Sequence, residues 1–191
     1  MIINELENSD IKLVIKEILS KWKPVLPKYM YHVTKEKNVN DIMASGLITR
    51  KYGEVHGTME ITPPSPAIYI SDRPESNNLN TNLSGNDLVS FKIDTSFIDI
   101  KNVYVDDGFY VAFGNEDVFE DAEEVSESLQ ISIESASILL DYLESLQNDK
   151  IVIKTKFLLG WYIEHHGELA ITQNIPPEAI VEINKIKNPF G

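Results

Sequence analysis

Strand-like segments stand at both ends of this chain, and no regular alternation of strand and helix joins them. Residues 29–34, 67–71, 88–93 and 98–105 read as strands early on, and residues 151–160, 161–172 and 179–186 return to strand composition near the end. Between them, residues 115–149 carry dense acids, serines and a series of Ile and Leu at helical spacing. A doubly wound parallel sheet needs a crossover helix after nearly every strand, and its phosphate site needs a GxGxxG or GxxxxGK[ST] loop; neither pattern is present. The expected fold class is therefore α+β, with a mixed, mainly antiparallel sheet. At 191 residues and 42% hydrophobic, the chain suffices for one core, so a single domain over 1–191 is expected.

Residues 4–22 place Leu6, Ile11, Leu13, Val14, Ile15, Ile18 and Leu19 among acids and lysines and stop before Pro24 and Pro27, which predicts an N-terminal amphipathic helix. A short helix over 38–45, with Val39, Ile42 and Met43 facing one way, should stop at Gly46, since glycine readily takes the left-handed conformation that ends helices. Residues 49–66 hold two glycines and three prolines and read as a loop that becomes ordered around a ligand. Residues 72–86 read as a turn followed by a short helix, and residues 109–113 as a strand bracketed by Gly108 and Gly114. A helical insertion is expected over about 115–149.

There is no cysteine, which excludes disulfides, thiolate metal sites and a cysteine nucleophile. The formal net charge is −13, but it is concentrated: residues 101–149 hold 13 acids and one lysine, leaving the rest of the chain nearly neutral. Such a stretch is ordinarily a solvated face, and the other roles it suits are binding a partner protein or excluding nucleic acid. The N-terminus lacks a basic stretch followed by an apolar run, and no apolar run reaches the ~18 residues of a membrane span. A cytoplasmic protein without a membrane partner is the expectation.

Three segments each set a polar residue in apolar company: Tyr29-Met30-Tyr31-His32-Val33-Thr34, Ala67-Ile68-Tyr69-Ile70-Ser71-Asp72 and His166-Gly167-Glu168-Leu169-Ala170. Two further stretches accompany them, Asn40-Asp41-Ile42-Met43-Ala44-Ser45-Gly46-Leu47-Ile48 and Ile175-Pro176-Pro177-Glu178-Ala179-Ile180. In order and local context they resemble the ADP-ribosyltransferase fold of the His-Tyr-Glu type, to which diphtheria-toxin-like enzymes and poly-ADP-ribose polymerases belong. DNA-targeting ADP-ribosyltransferase toxins and RNA 2′-phosphotransferases share this broad fold.

The resemblance implies a split, mainly antiparallel sheet that binds NAD as substrate, with no metal. It implies that His32 contacts the adenosine ribose, that the backbone of Val33, where relatives often have glycine, holds the nicotinamide amide, and that Thr34, closing the Tyr-His-Val-Thr motif, also belongs to the NAD-binding set. Tyr69 would stack on the nicotinamide, Ser71 or Ser76 would offer a hydroxyl to its amide, and Glu168 would be the catalytic carboxylate. The function expected is mono-ADP-ribosyl transfer from NAD to a macromolecular acceptor, protein or nucleic acid, with release of nicotinamide. With water as acceptor it becomes NAD hydrolysis, and a non-catalytic relative would act as a binding protein through its acidic segment.

The residue types suit that chemistry. The leaving nicotinamide is already a cationic pyridinium, so no strong acid is required; the barrier lies in the oxocarbenium character of the ribose, which a carboxylate stabilises. If residues 161–172 form one strand, Glu164, His166 and Glu168 share a face. Arginine-modifying relatives commonly carry a second glutamate where His166 stands, which points the acceptor away from arginine; an imidazole there would orient or deprotonate a hydroxyl or base nitrogen. The phosphotransferase alternative needs a basic cluster, whereas Arg50 and Arg73 are the only arginines. For a metal, His165 and His166 would point to opposite faces of a strand, leaving His166 with two carboxylates at most.

Overall fold

The structure, a computed structural model, describes residues 9–49, 66–74, 87–105, 121–146 and 154–186. The expected helical start over 4–8, most of the 49–66 loop, Ser76, the 109–113 strand and both ends of the 115–149 insertion lie outside the described residues. Two compact units organise the chain. Of the described residues, 9–24, 104–105, 121–146 and 154–165 belong to one; 25–49, 66–74, 87–103 and 166–186 belong to the other.

The first unit is helical. Helix α1, Ser9–Lys21, buries Ile11, Val14, Ile15 and Ile18, the i, i+3, i+4, i+7 stripe of an amphipathic helix. Its partner is the second helix of a hairpin, in which α3 (Ala122–Leu129) and α4 (Ile133–Glu144) are joined through Gln130 in the left-handed conformation, φ 57°. Asp121 caps α3 by accepting from the backbone N–H of Glu123 and Glu124, at 2.8 and 3.0 Å. Ser132 caps α4 by accepting from Ser135 N–H at 3.0 Å. The C-terminal carbonyls of α3, which no residue of the helix can satisfy, take side-chain donors instead. Trp161 Nε1 donates to Ser128 O at 3.0 Å, Trp22 Nε1 to Leu129 O at 2.9 Å, and Lys21 Nζ to Gln130 O.

Residues 154–165, expected as strand within the 151–160 and 161–172 segments, are helix and turn, and 151–153 lie outside the described residues. The last helix of this unit, α5 (Leu159–His165), follows a 3-10 turn at Lys156–Leu158 and buries Leu159, Gly160, Trp161, Tyr162 and Ile163 in succession. Gly160 is required there, because a Cβ would lie 2.2 Å from the carbonyl oxygen of Trp22. His165 closes the helix: its ring stacks on Trp161 with centroids 4.9 Å apart, and its Nδ1 donates to Trp161 O at 2.8 Å.

The second unit is built on an antiparallel sheet. Strands β1 (Tyr29–Lys35), β2 (Ile68–Ser71), β3 (Leu88–Asp94), β5 (Glu168–Ile171) and β6 (Ile180–Ile186) run in the order β5-β2-β1-β3-β6. The short β4, Val103–Val105, begins in this unit, to which only Val103 belongs. The rest of the expected 98–105 strand is a 3-10 turn, Ile100–Asn102, because the Asp99 side chain accepts from Lys101 N–H and turns the backbone. Met30, Ile68, Ile70, Val89, Phe91, Ile93, Leu169 and Ile171 form the core of the sheet.

Helix α2, Val39–Ser45, forms as expected and stops at Gly46, φ 78°, whose N–H bonds Ile42 O at 2.7 Å. None of its residues is buried, and Met43 is 42% exposed. Gly46 also permits a close approach: a Cβ would lie 2.2 Å from Ile175 O. The next residue, Leu47, pairs with Ile175 through two backbone bonds of 2.8 and 2.9 Å.

Candidate active site

Backbone pairing places the residues of interest. Asp72 N–H donates to Gly167 O at 2.9 Å, so these two form a hydrogen-bonded pair on the β2–β5 ladder. Ser71 and Glu168, next along, are in register as the closer, non-hydrogen-bonded kind of pair. Tyr31 pairs with Ser71 on one side and Lys92 on the other, and Lys92 pairs with Glu182. Glu168, Ser71, Tyr31, Lys92 and Glu182 therefore make one cross-strand row with their side chains on one face. Tyr69 lies two residues along β2 from Ser71 and shares that face.

His32 follows Tyr31, so pleat alternation starts it from the other face. Its imidazole reaches the seam between β1 and β2, where Nδ1 lies 2.8 Å from the carbonyl oxygen of Tyr69. A carbonyl only accepts, so Nδ1 carries the hydrogen. The same ladder parity turns the Tyr69 carbonyl toward β1, where a continuous ladder would supply the N–H of Val33. The His32 side chain bonds that carbonyl, and among the described residues the β1–β2 ladder is registered at Tyr31 and Ser71. The registered β1–β2 pairing thus stops short of Val33 and Tyr69, an opening in the ladder beside the face that carries Glu168.

The remaining expected positions divide. Ser71 is buried and its hydroxyl donates to Arg73 O at 2.7 Å, closing a turn at the end of β2. Thr34, also buried, accepts from Asn38 Nδ2 at 2.9 Å, which ties β1 to the turn that follows it. Val33 pairs with Ser90 of β3, a fully buried residue whose hydroxyl has no hydrogen-bond partner among the described residues. Glu168, half-buried, opens β5 directly after Gly167.

The shared face expected for Glu164, His166 and Glu168 does not exist. Glu164 is in α5, His166 is an exposed turn residue, and the strand begins only at Glu168. Gly167, φ 71°, breaks any strand period across the junction. What the sequence reading missed is Tyr31, in the same row as Glu168, and Asp72, whose carboxylate lies against Gly167. Their local signal was only position within Tyr-His and Ser-Asp pairs; register supplies the rest.

Electrostatically the far end of the row is settled. Lys92 Nζ donates to Glu182 at 3.2 Å, which holds the Lys92 ammonium above the usual lysine range. Asn184 first, and Lys92 second, hold the Glu182 carboxyl below the usual carboxylate range. Among the described residues, no group of three or more His, Asp or Glu could hold a metal ion, and no helix is long and apolar enough to cross a membrane. Comparison with protein-family models gives no match, and comparison with curated proteins gives none either.

Proposed function

We propose that the opening between β1 and β2 is a binding site for NAD and that the protein transfers ADP-ribose from it to a macromolecular acceptor. The observation that carries this reading is the His32 to Tyr69 bond, which lies where the registered β1–β2 pairing stops, beside the face shared by Tyr69 and Glu168. In this reading the backbone of Val33, turned toward the opening, holds the nicotinamide amide, and Tyr69 packs on the ring. Glu168 stands across β2 to accept from the ribose hydroxyl and to stabilise positive charge as the bond from ribose C1′ to the pyridinium nitrogen breaks. The bonding pair leaves with nicotinamide, which departs neutral, and an acceptor nucleophile bonds C1′ and gives up its proton. His166 loses the strand geometry that argued for an acceptor-orienting role.

The test is nicotinamide release from NAD by the purified protein, followed with and without mixtures of protein and nucleic-acid acceptors. Wild type should release nicotinamide and Glu168→Gln should fall by about 100-fold or more, the scale on which loss of one preorganised electrostatic group is felt. No release under any mixture, or equal release by both proteins, rejects the reading. Label retained on a macromolecule separates transfer from hydrolysis, in which water is the acceptor.

A further inference from the structure

Glu168 is preceded by the most permissive of residues, and a catalytic carboxylate on a freely turning glycine would be poorly placed. The structure limits that freedom from the neighbouring strand. A Cβ built on Gly167 would lie 2.4 Å from Asp72 Cγ, 2.6 Å from Oδ1 and 2.8 Å from Oδ2, so the Asp72 carboxylate fills the space beside the glycine. The same two residues share the 2.9 Å bond from Asp72 N–H to Gly167 O. Asp72 itself is fixed from its other side, because the 2.7 Å bond from the Ser71 hydroxyl to Arg73 O closes a turn across it. The Arg73 guanidinium makes only a long ion pair with the same carboxylate, Nε 3.6 Å from Oδ1 and beyond hydrogen-bond range, with the Arg73 side chain 65% and the Asp72 side chain 40% exposed.

We propose that Asp72 is a positioning residue for Glu168: its side chain wedges against Gly167 and holds the turn that aims Glu168 along the face it shares with Tyr69. The wedge acts by shape, since the feature it fills is the missing Cβ of Gly167. Asparagine at position 72 should therefore serve nearly as well as aspartate, and alanine should not. The positive φ at Gly167 and the wedge together explain why this junction takes glycine: alanine would meet strain in the backbone and the carboxylate in space.

The inference rests on the proposed NAD reaction for its kinetic consequence, and amide exchange provides a readout independent of NAD. For Asp72→Ala we expect kcat for nicotinamide release to fall about tenfold, with the KM for NAD and the thermal midpoint little changed. Amide exchange at residues 167–169 should quicken while β1 and β3 keep their protection. Asp72→Asn should restore both. In Gly167→Ala, adding Asp72→Ala should recover part of the lost activity and protection by removing the clash.

Unchanged exchange and kcat in Asp72→Ala would overturn the wedge. So would an Asp72→Asn protein as impaired as Asp72→Ala, which would assign the effect to charge. If the wild type releases no nicotinamide, the proposed reaction fails and exchange alone decides: faster exchange in Asp72→Ala with rescue by Asp72→Asn upholds the wedge, and any other pattern rejects it.

Discussion

The Nδ1 hydrogen of His32 is donated to the backbone carbonyl of Tyr69, across 2.8 Å, from one strand to a residue of the next. An imidazole thereby satisfies an acceptor that a continuous ladder would give to backbone. His32→Leu should remove that hydrogen bond and destabilise the sheet unit by about 0.5–1.5 kcal/mol. His32→Gln, which keeps a donor, should cost less. Urea unfolding of the three proteins orders them, and equal midpoints would count against a structural role for the bond.

Three donors finish α3, and two of them are indoles. Trp22→Phe keeps an aromatic ring of lesser size at position 22 and removes the hydrogen bond to Leu129 O, which should cost about 1–3 kcal/mol. Trp161→Phe removes the bond to Ser128 O, and with it part of the surface on which the His165 ring stacks. Far-ultraviolet dichroism on heating should show a lower midpoint in both variants.

Tyr142 places a buried hydroxyl in α4 with no hydrogen-bond partner among the described residues, and burial raises its pKa above the ordinary tyrosine value. The neutral phenol is the form the fold accepts, so stability is intact below about pH 10, the ordinary tyrosine value, and declines as pH rises through the raised one. Tyr142→Phe should unfold later, by about 1 kcal/mol, and its thermal midpoint should fall less steeply in alkali. A variant less stable than wild type at neutral pH would show that the hydroxyl is satisfied in solution.

Glu182 and Lys92 form an exposed pair on the edge strand and its neighbour. Since the folded carboxyl is held below its unfolded value, its contribution is present above the ordinary carboxylate range and disappears as pH falls through the lowered value. Glu182→Gln should change the neutral-pH midpoint little. It should flatten the acid side of the stability curve, read from thermal midpoints between about pH 2 and 7.

Local patterns made much of this architecture legible. The apolar stripe of α1, the Gly46 stop and strands β1, β2, β3 and β6 each depend on neighbours within a few residues. Helix α5 did not read as helix because five consecutive buried residues, Leu159 to Ile163, leave it no polar face and two of them are aromatic, a composition shared by buried strands. The site was legible as a set of residue types and not as an arrangement. That Ser71 stands beside Glu168, and Tyr31 beside Ser71, is a property of register, and the helix before Gly167 is what removed His166 from the expected row.

The bridge from Leu47 to Ile175 joins segments made early and late in synthesis, and the sheet follows the same rule. Strands β1, β3 and β2 emerge first, but their flanks, β5 and β6, come from residues 168–186. Until those residues leave the ribosome, β2 and β3 are bare edges open to pairing with other chains, and folding of this unit must wait for contacts of long sequence separation. The carboxylate on which the proposed chemistry depends arrives with β5. Under the proposed reaction a nascent chain stays inert toward NAD until the sheet can close, and the period of greatest aggregation hazard ends with the same event that completes the proposed site.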